Sequence, residues 1–180
     1  KTTLLGLMAG LDIATQGEVN LLGENLSDKN EEQRAAIRKG QVGFVFQSFH
    51  LVTGATALQN VMLPLELSGK QNALKLAEQV LTRVGLDHRL NTPVEHLSGG
   101  EQQRVAIARA YAVEPAILFA DEPTGNLDTR TGLQISELLF DLRDQAGTTL
   151  ILVTHEERLT ERADRQVKMS QGCITESLNL

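Results

Sequence analysis

Ala116-Ile117-Leu118-Phe119-Ala120, followed at once by Asp121-Glu122, is the stretch that decides the fold. Five apolar residues in a row, without alternation, predict a strand covered on both faces, as in a parallel sheet. A second such run, Leu150-Ile151-Leu152-Val153, falls within an expected strand over 148–154. Further strand-like runs rich in β-branched and aromatic residues occupy 17–22, 42–46 and 166–169. Helical patterns fill 2–11, 31–39, 73–84, 100–112 and 132–146. This alternation predicts an α/β fold with a mostly parallel sheet. From Ser48 to about Ala112 the strand signal vanishes and helical patterns dominate. A helical subdomain over 48–112 is therefore expected within a single domain 1–180, leaving 1–47 and 113–180 as the core. Gln171-Gly172 predicts the turn of a short C-terminal hairpin.

Composition narrows the function classes. The 180 residues are 41% hydrophobic and 22% charged, ordinary for a globular protein with one sizeable core. A net charge of −6 and the lack of any Lys/Arg run argue against a nucleic-acid partner. The single Cys173 permits no internal disulfide, which suits a reducing compartment. No apolar stretch approaches the roughly 18–20 residues that span a bilayer, so a membrane role would come through a partner. The chain opens on Lys1, without an initiator Met or targeting segment, and is expected to lack its natural start.

Polar residues follow directly on the predicted strands: Gln47 after Phe46, Asp121-Glu122 after Ala120, and His155 after Val153-Thr154. In open parallel sheets, ligands sit outside the carboxyl ends of the strands, so these ends make a candidate Mg-phosphate hydrolysis site. Lys1-Thr2-Thr3, opening a Leu-rich helical run, has the form of the last positions of a P-loop, G-x-x-x-x-G-K-[ST]. In that motif backbone N–H groups and a helix N-terminus hold phosphates. Leu97-Ser98-Gly99-Gly100-Glu101-Gln102-Gln103 reads as a helix start, with Ser98 as cap and Glu101 closing a capping box. Capping does not call for two successive glycines. Gly99 and Gly100 leave N–H groups bare, so that a phosphate could approach the helix end.

Leu97–Gln103 resembles the signature motif of ABC ATPases, and from there the resemblance covers almost the whole chain. It implies a P-loop NTPase fold (RecA-like, with an inserted α-helical subdomain and small antiparallel strands), with ATP and Mg²⁺ as ligands. Ile117–Pro123 matches the Walker B strand, Gly125-Asn126-Leu127-Asp128 the D-loop, His155 the switch histidine and Gln47 the Q-loop. The resemblance implies that Lys1 reaches the β- and γ-phosphates and that Thr2, Gln47 and Asp121 serve Mg²⁺. It implies that Glu122 polarises the attacking water, with His155 and Gln47 assisting at the γ-phosphate. Thr3, Ser98, Gly99, Gly100, Glu101 and Asp128 complete the nucleotide-binding set. Ser98-Gly99-Gly100 would act on ATP held by a second, head-to-tail subunit. The P-loop glycines, an adenine-stacking aromatic and a strand leading into Lys1 are expected outside the sequence. By resemblance, that strand would lie beside Ile117–Ala120.

Val45-Phe46-Gln47-Ser48-Phe49-His50-Leu51 and Ala120–Asp128 are similar to the ATPase group of lipoprotein-release, macrolide-export and YbbA-type exporters. The run 147–155 is most like the YbbA type. Integral membrane permease subunits are the implied partners, with the ATPase cytoplasmic and peripheral on the inner face of the plasma membrane. An apolar surface around Phe49, Leu51 and 59–67 is a candidate docking patch, with core packing of the helical subdomain as its alternative. DNA-repair ATPases would carry a coiled coil between Q-loop and signature, yet Gln47 and Leu97 stand only 50 positions apart with no heptad repeat between them. A ribosome-binding factor would need two tandem units. A cell-division ATPase that signals through a membrane partner without moving cargo shares these motifs and stays open.

Overall fold

The computed structural model describes residues 1–179. Three parallel strands, β3 (Val42–Phe46), β4 (Ile117–Asp121) and β5 (Thr149–Val153), form the central sheet in the order β3-β4-β5. The continuous apolar character of β4 follows from its place: it is paired on both edges and covered on both faces. Because side chains alternate along a strand, β4 feeds two cores. Leu118 and Ala120 join one apolar cluster, together with Val45, Leu150 and Leu152. Phe119 joins the other, with Ile117, Phe44 and Ile151. Phe44 stacks on its cross-strand partner Phe119, ring centroids 5.5 Å apart. Burial of this kind contributes about 1.5–3 kcal/mol per large apolar side chain.

The second face is closed by α1 (Thr2–Met8), through Leu5, and by the small hairpin β1 (Asn20–Leu21) and β2 (Glu24–Asn25). The strand expected over 17–22 is thus reduced to two residues. Leu22 and Gly23 both take positive φ, and the chain turns back on itself there. Next comes α2 (Glu31–Arg38), started by a capping box in which Asn30 and Gln33 satisfy each other's backbone N–H groups.

Between β3 and β4 the chain forms α3 (Ala57–Leu67), α4 (Ala73–Arg83), two short 3₁₀ turns and α5 (Gly99–Tyr111). Their inner faces share one continuous cluster with Val45, Leu118, Ile135 and Leu139, so the helical insertion is fused to the sheet by a common core. On α3 the residues Ala57, Val61 and Leu65 face inward, while Leu63 and Leu67 stand exposed. The apolar patch expected around 59–67 therefore splits into a core face and an open face. The chain then follows α6 (Thr129–Ala146), β5 and a four-residue helix α7 (Glu157–Thr160). It ends in the antiparallel pair β6 (Arg165–Ser170) and β7 (Cys173–Asn179). Positive φ at Gln171 and Gly172 gives that hairpin its type I′ turn, as the sequence predicts.

One expectation is corrected. A strand leading into Lys1 does not belong beside Ile117–Ala120, because β3 and β5 already hydrogen-bond both edges of β4. Ile117–Ala120 has no unpaired edge to offer.

Candidate active site

Sheet register brings the strand ends to one level: Phe46 pairs with Asp121, and Asp121 with Val153. Gln47, Glu122 and Thr154-His155 therefore leave the sheet side by side at its carboxyl edge. Lys1, at the N-terminus of α1, reaches the same place. Its Nζ donates to the Thr154 carbonyl oxygen at 3.3 Å and lies 3.3 Å from His155 Nδ1. His155 Nε2 is 2.7 Å from Glu122 Oε1. A chain Lys1–His155–Glu122 is thus assembled from residues up to 154 positions apart. Thr2 and Thr3 occupy the exposed first turn of α1, next to Lys1.

The two acidic residues behave differently. Asp121 is buried, and its Oδ1 has no hydrogen-bond partner among the described residues. A buried carboxylate oxygen left without a donor is costly, and it fits a hard cation that prefers oxygen ligands. No group of three His, Cys, Asp or Glu converges among the described residues, so such a cation would complete its shell with hydroxyl, amide, phosphate and water oxygens. Glu122 is partly exposed and adopts φ +45, a left-handed conformation uncommon for a residue with a Cβ. Its N–H donates to the Val153 carbonyl oxygen at 2.9 Å, and its own carbonyl accepts from Gly125. Backbone strain is thus held in place by hydrogen bonds on both sides of the side chain that meets His155.

Gln47 is held by Asn126, which the sequence offers only as part of the D-loop. Its Nε2 donates to Asn126 Oδ1 at 3.1 Å, and Asn126 Nδ2 returns a bond to the Gln47 carbonyl at 3.0 Å. Gly125 permits this approach, since a Cβ there would come within 2.7 Å of Gln47 Nε2. Asp128 caps α6 within its own chain. Its Oδ1 accepts from the N–H groups of Arg130 and Thr131, and its Oδ2 accepts from Thr131 Oγ1 at 2.6 Å. These bonds, with the Thr131 hydroxyl foremost, hold the Asp128 carboxyl below the usual carboxylate range.

Ser98 caps α5, where the capping box read from the sequence is present. Glu101 Oε2 accepts from Ser98 N at 2.9 Å and from Ser98 Oγ at 2.7 Å, while Arg89 Nε donates to Glu101 Oε1 at 3.0 Å. The Ser98 bonds, then Arg89, keep the Glu101 carboxyl below its ordinary value. The two glycines have different reasons. A Cβ on Gly100 would strike Thr131 Cγ2 at 2.6 Å, whereas one on Gly99 would make only ordinary contacts with Leu127 and Phe49. Farther along α5, the largely buried Arg109 donates to the carbonyl oxygens of Phe49 and His50 at 3.0 and 2.6 Å. Those two residues are themselves both in positive φ. Nothing in the sequence spacing singles out Asn126, Arg89 or Arg109, because each acts through a contact that only folding creates.

The ABC transporter family profile matches residues 1–125. The ABC transporter ATP-binding protein YbbA of Escherichia coli K12 is 50% identical over 178 residues, covering 98% of this chain and 78% of that protein. The lipoprotein-releasing system ATP-binding protein LolD of Francisella tularensis is 43% identical over 175 residues, 96% of this chain and 76% of its own length. Among solved structures, a dimeric post-hydrolysis state of the ATP-binding cassette MJ0796, bound to ADP and Pi, superposes with a TM-score of 0.89. It is 36% identical and covers 99% of this chain and 79% of that one. The chain belongs to the ABC transporter family and is one of its ATP-binding, ATP-hydrolysing cassettes.

Proposed function

We propose that this cassette powers an exporter-type membrane complex, working as one half of a head-to-tail ATPase dimer. The observation that carries the reading is the convergence of Lys1, Glu122 and His155 at the level where Gln47 and Asp121 leave the sheet. The identity to LolD, the ATP-binding protein of a lipoprotein-releasing system, supports the exporter group, and the dimeric MJ0796 structure supports the pairing. The division into a core (1–47 and 113–180) and a helical subdomain (48–112) belongs to the same reading. So does a peripheral site of action on the cytoplasmic face of the membrane. Exposed Leu63 and Leu67 on α3 are the side chains we assign to contact with the permease.

ATP hydrolysis demands positioning and charge neutralisation more than covalent help. Lys1, with the Thr2 and Thr3 hydroxyls on the first turn of α1, would hold the phosphates. Asp121, Thr2 and Gln47 would hold Mg²⁺, which when bound neutralises phosphate charge and orients the oxygens it touches. Glu122 accepts a proton from the attacking water, and His155, bridging Glu122 and Lys1, keeps that carboxylate aimed along the sheet edge. Asn126 fixes the Gln47 amide. Ser98, Gly99 and Gly100, with Glu101 behind them and Asp128 at the neighbouring helix start, complete the site of the opposite subunit. Donors supplied in trans contribute about 10³–10⁵ in rate in other phosphoryl-transfer enzymes.

The test is complementation in polypeptides that carry a complete P-loop. Ser98→Arg and Lys1→Ala are each inactive alone. Mixed, they form dimers with one intact composite site, and ATPase activity returns. Activity that stays at background after mixing would sink the trans arrangement.

A further inference from the structure

Ser98 Oγ carries a single proton, and that proton goes to Glu101 Oε2, 2.7 Å away. In return the hydroxyl accepts only a long 3.4 Å contact from the Glu101 N–H. Engaged in this way, it offers a phosphate oxygen nothing but lone pairs. A hydrogen bond to an ionised acceptor is about twice as strong as one to a neutral group. The carboxylate is itself gripped by Arg89, whose side chain is 44% exposed at the end of the first 3₁₀ turn, Asp87–Arg89.

We propose that Glu101 is a positioning residue that withholds the Ser98 proton from the partner subunit's nucleotide until the dimer closes, and that Arg89 tunes the hold by drawing off the carboxylate's charge. This rests on the reading that Ser98 donates in trans. A glutamine at 101 preserves the capping box, which accepts Glu or Gln alike, but removes the charge behind the bond. The hydroxyl is then released more readily and repulsion of the incoming phosphate falls. Loss of Arg89 acts in the opposite sense, and only while residue 101 is charged.

The measurement is the ATP concentration that half-saturates dimer formation, read by sedimentation with polypeptides carrying a complete P-loop and Glu122→Gln to slow turnover. Glu101→Gln lowers that concentration several-fold, and Arg89→Met raises it several-fold. Combined with Glu101→Gln, Arg89→Met shifts it by less than about two-fold, because such a cycle isolates the coupling between the two side chains. Monomer ATP binding stays constant in all four. An equal effect of Arg89→Met in both backgrounds would reduce Arg89 to a packing residue and overturn its part. If Ser98→Ala weakens dimerisation while Glu101→Gln does not strengthen it, the proposal fails and the trans reading stands. If Ser98→Ala leaves dimerisation untouched, both fall.

Discussion

The strand-end cluster and the signature turn are built on opposite terms. At the strand ends a buried carboxylate oxygen has no donor among the described residues, and Glu122 sits in a strained backbone conformation. At the signature turn Ser98, Glu101 and Arg89 answer one another, and the helix start is capped. One region carries unmet demands that a ligand would satisfy; the other is complete without one. The difference teaches that this fold leaves polar demands open at its strand ends and closes them at its helix start. The signature, by contrast, is first a structural device.

The largest expected effects fall on the strand ends. Glu122→Gln lowers turnover by ~10²–10⁴, the usual range for loss of a general base, and leaves ATP binding intact. Asp121→Asn also abolishes turnover, yet it does not lower stability, because it removes the charge from a buried oxygen that has no donor among the described residues. Thermal melts beside steady-state ATPase assays check both. An Asp121→Asn protein that melts below the parent would show that the carboxylate is structurally satisfied.

A smaller effect is expected at the contact between the two regions. Gly100→Ala pushes a methyl group against Thr131 Cγ2 and costs about 1–3 kcal/mol of stability. Thr131→Ser removes that methyl while keeping the hydroxyl on Asp128, so the double variant regains most of the loss. Denaturant unfolding of the three variants decides it. No recovery would mean that Gly100 is needed for its backbone rather than for space.

The smallest concerns pH. The Asp128 carboxyl titrates below its usual range in the folded state, chiefly through the Thr131 hydroxyl. Its contribution is fully present above the unfolded carboxyl pKa of about 3.9 and is lost as pH falls through the lower folded value. Asp128→Asn therefore melts at a lower temperature than the parent at neutral pH, and the gap narrows below about pH 4. A gap that is constant down to pH 3 would remove Asp128 from the account.

How much of this was legible before folding depends on how local the signal is. The strands β3, β4 and β5 are legible because a buried parallel strand must be apolar along its whole length. Both β1 and β2 are too short to show a period, and β7 is exposed throughout, so its partner strand and the Gln171-Gly172 turn define it. The span of α3 went unread although Thr56 and Gln59 form a capping box, because its apolar residues occupy two faces and Pro64 lies inside it. The polar residues that follow the strands were legible by type and order. The Lys1–His155–Glu122 chain and the Asn126 clamp on Gln47 were not, because sequence spacing holds no information on contacts 79 or 154 positions apart.

The double grip of Arg109 has a mechanical meaning. Its two hydrogen bonds tie α5 to the carbonyl oxygens just beyond Gln47, and the other end of the same helix begins at Ser98. A thirteen-residue helix is a stiff rod about 20 Å long. Tilting it to bring the signature toward a neighbouring molecule drags the segment after Gln47 by a comparable amount, or breaks both bonds.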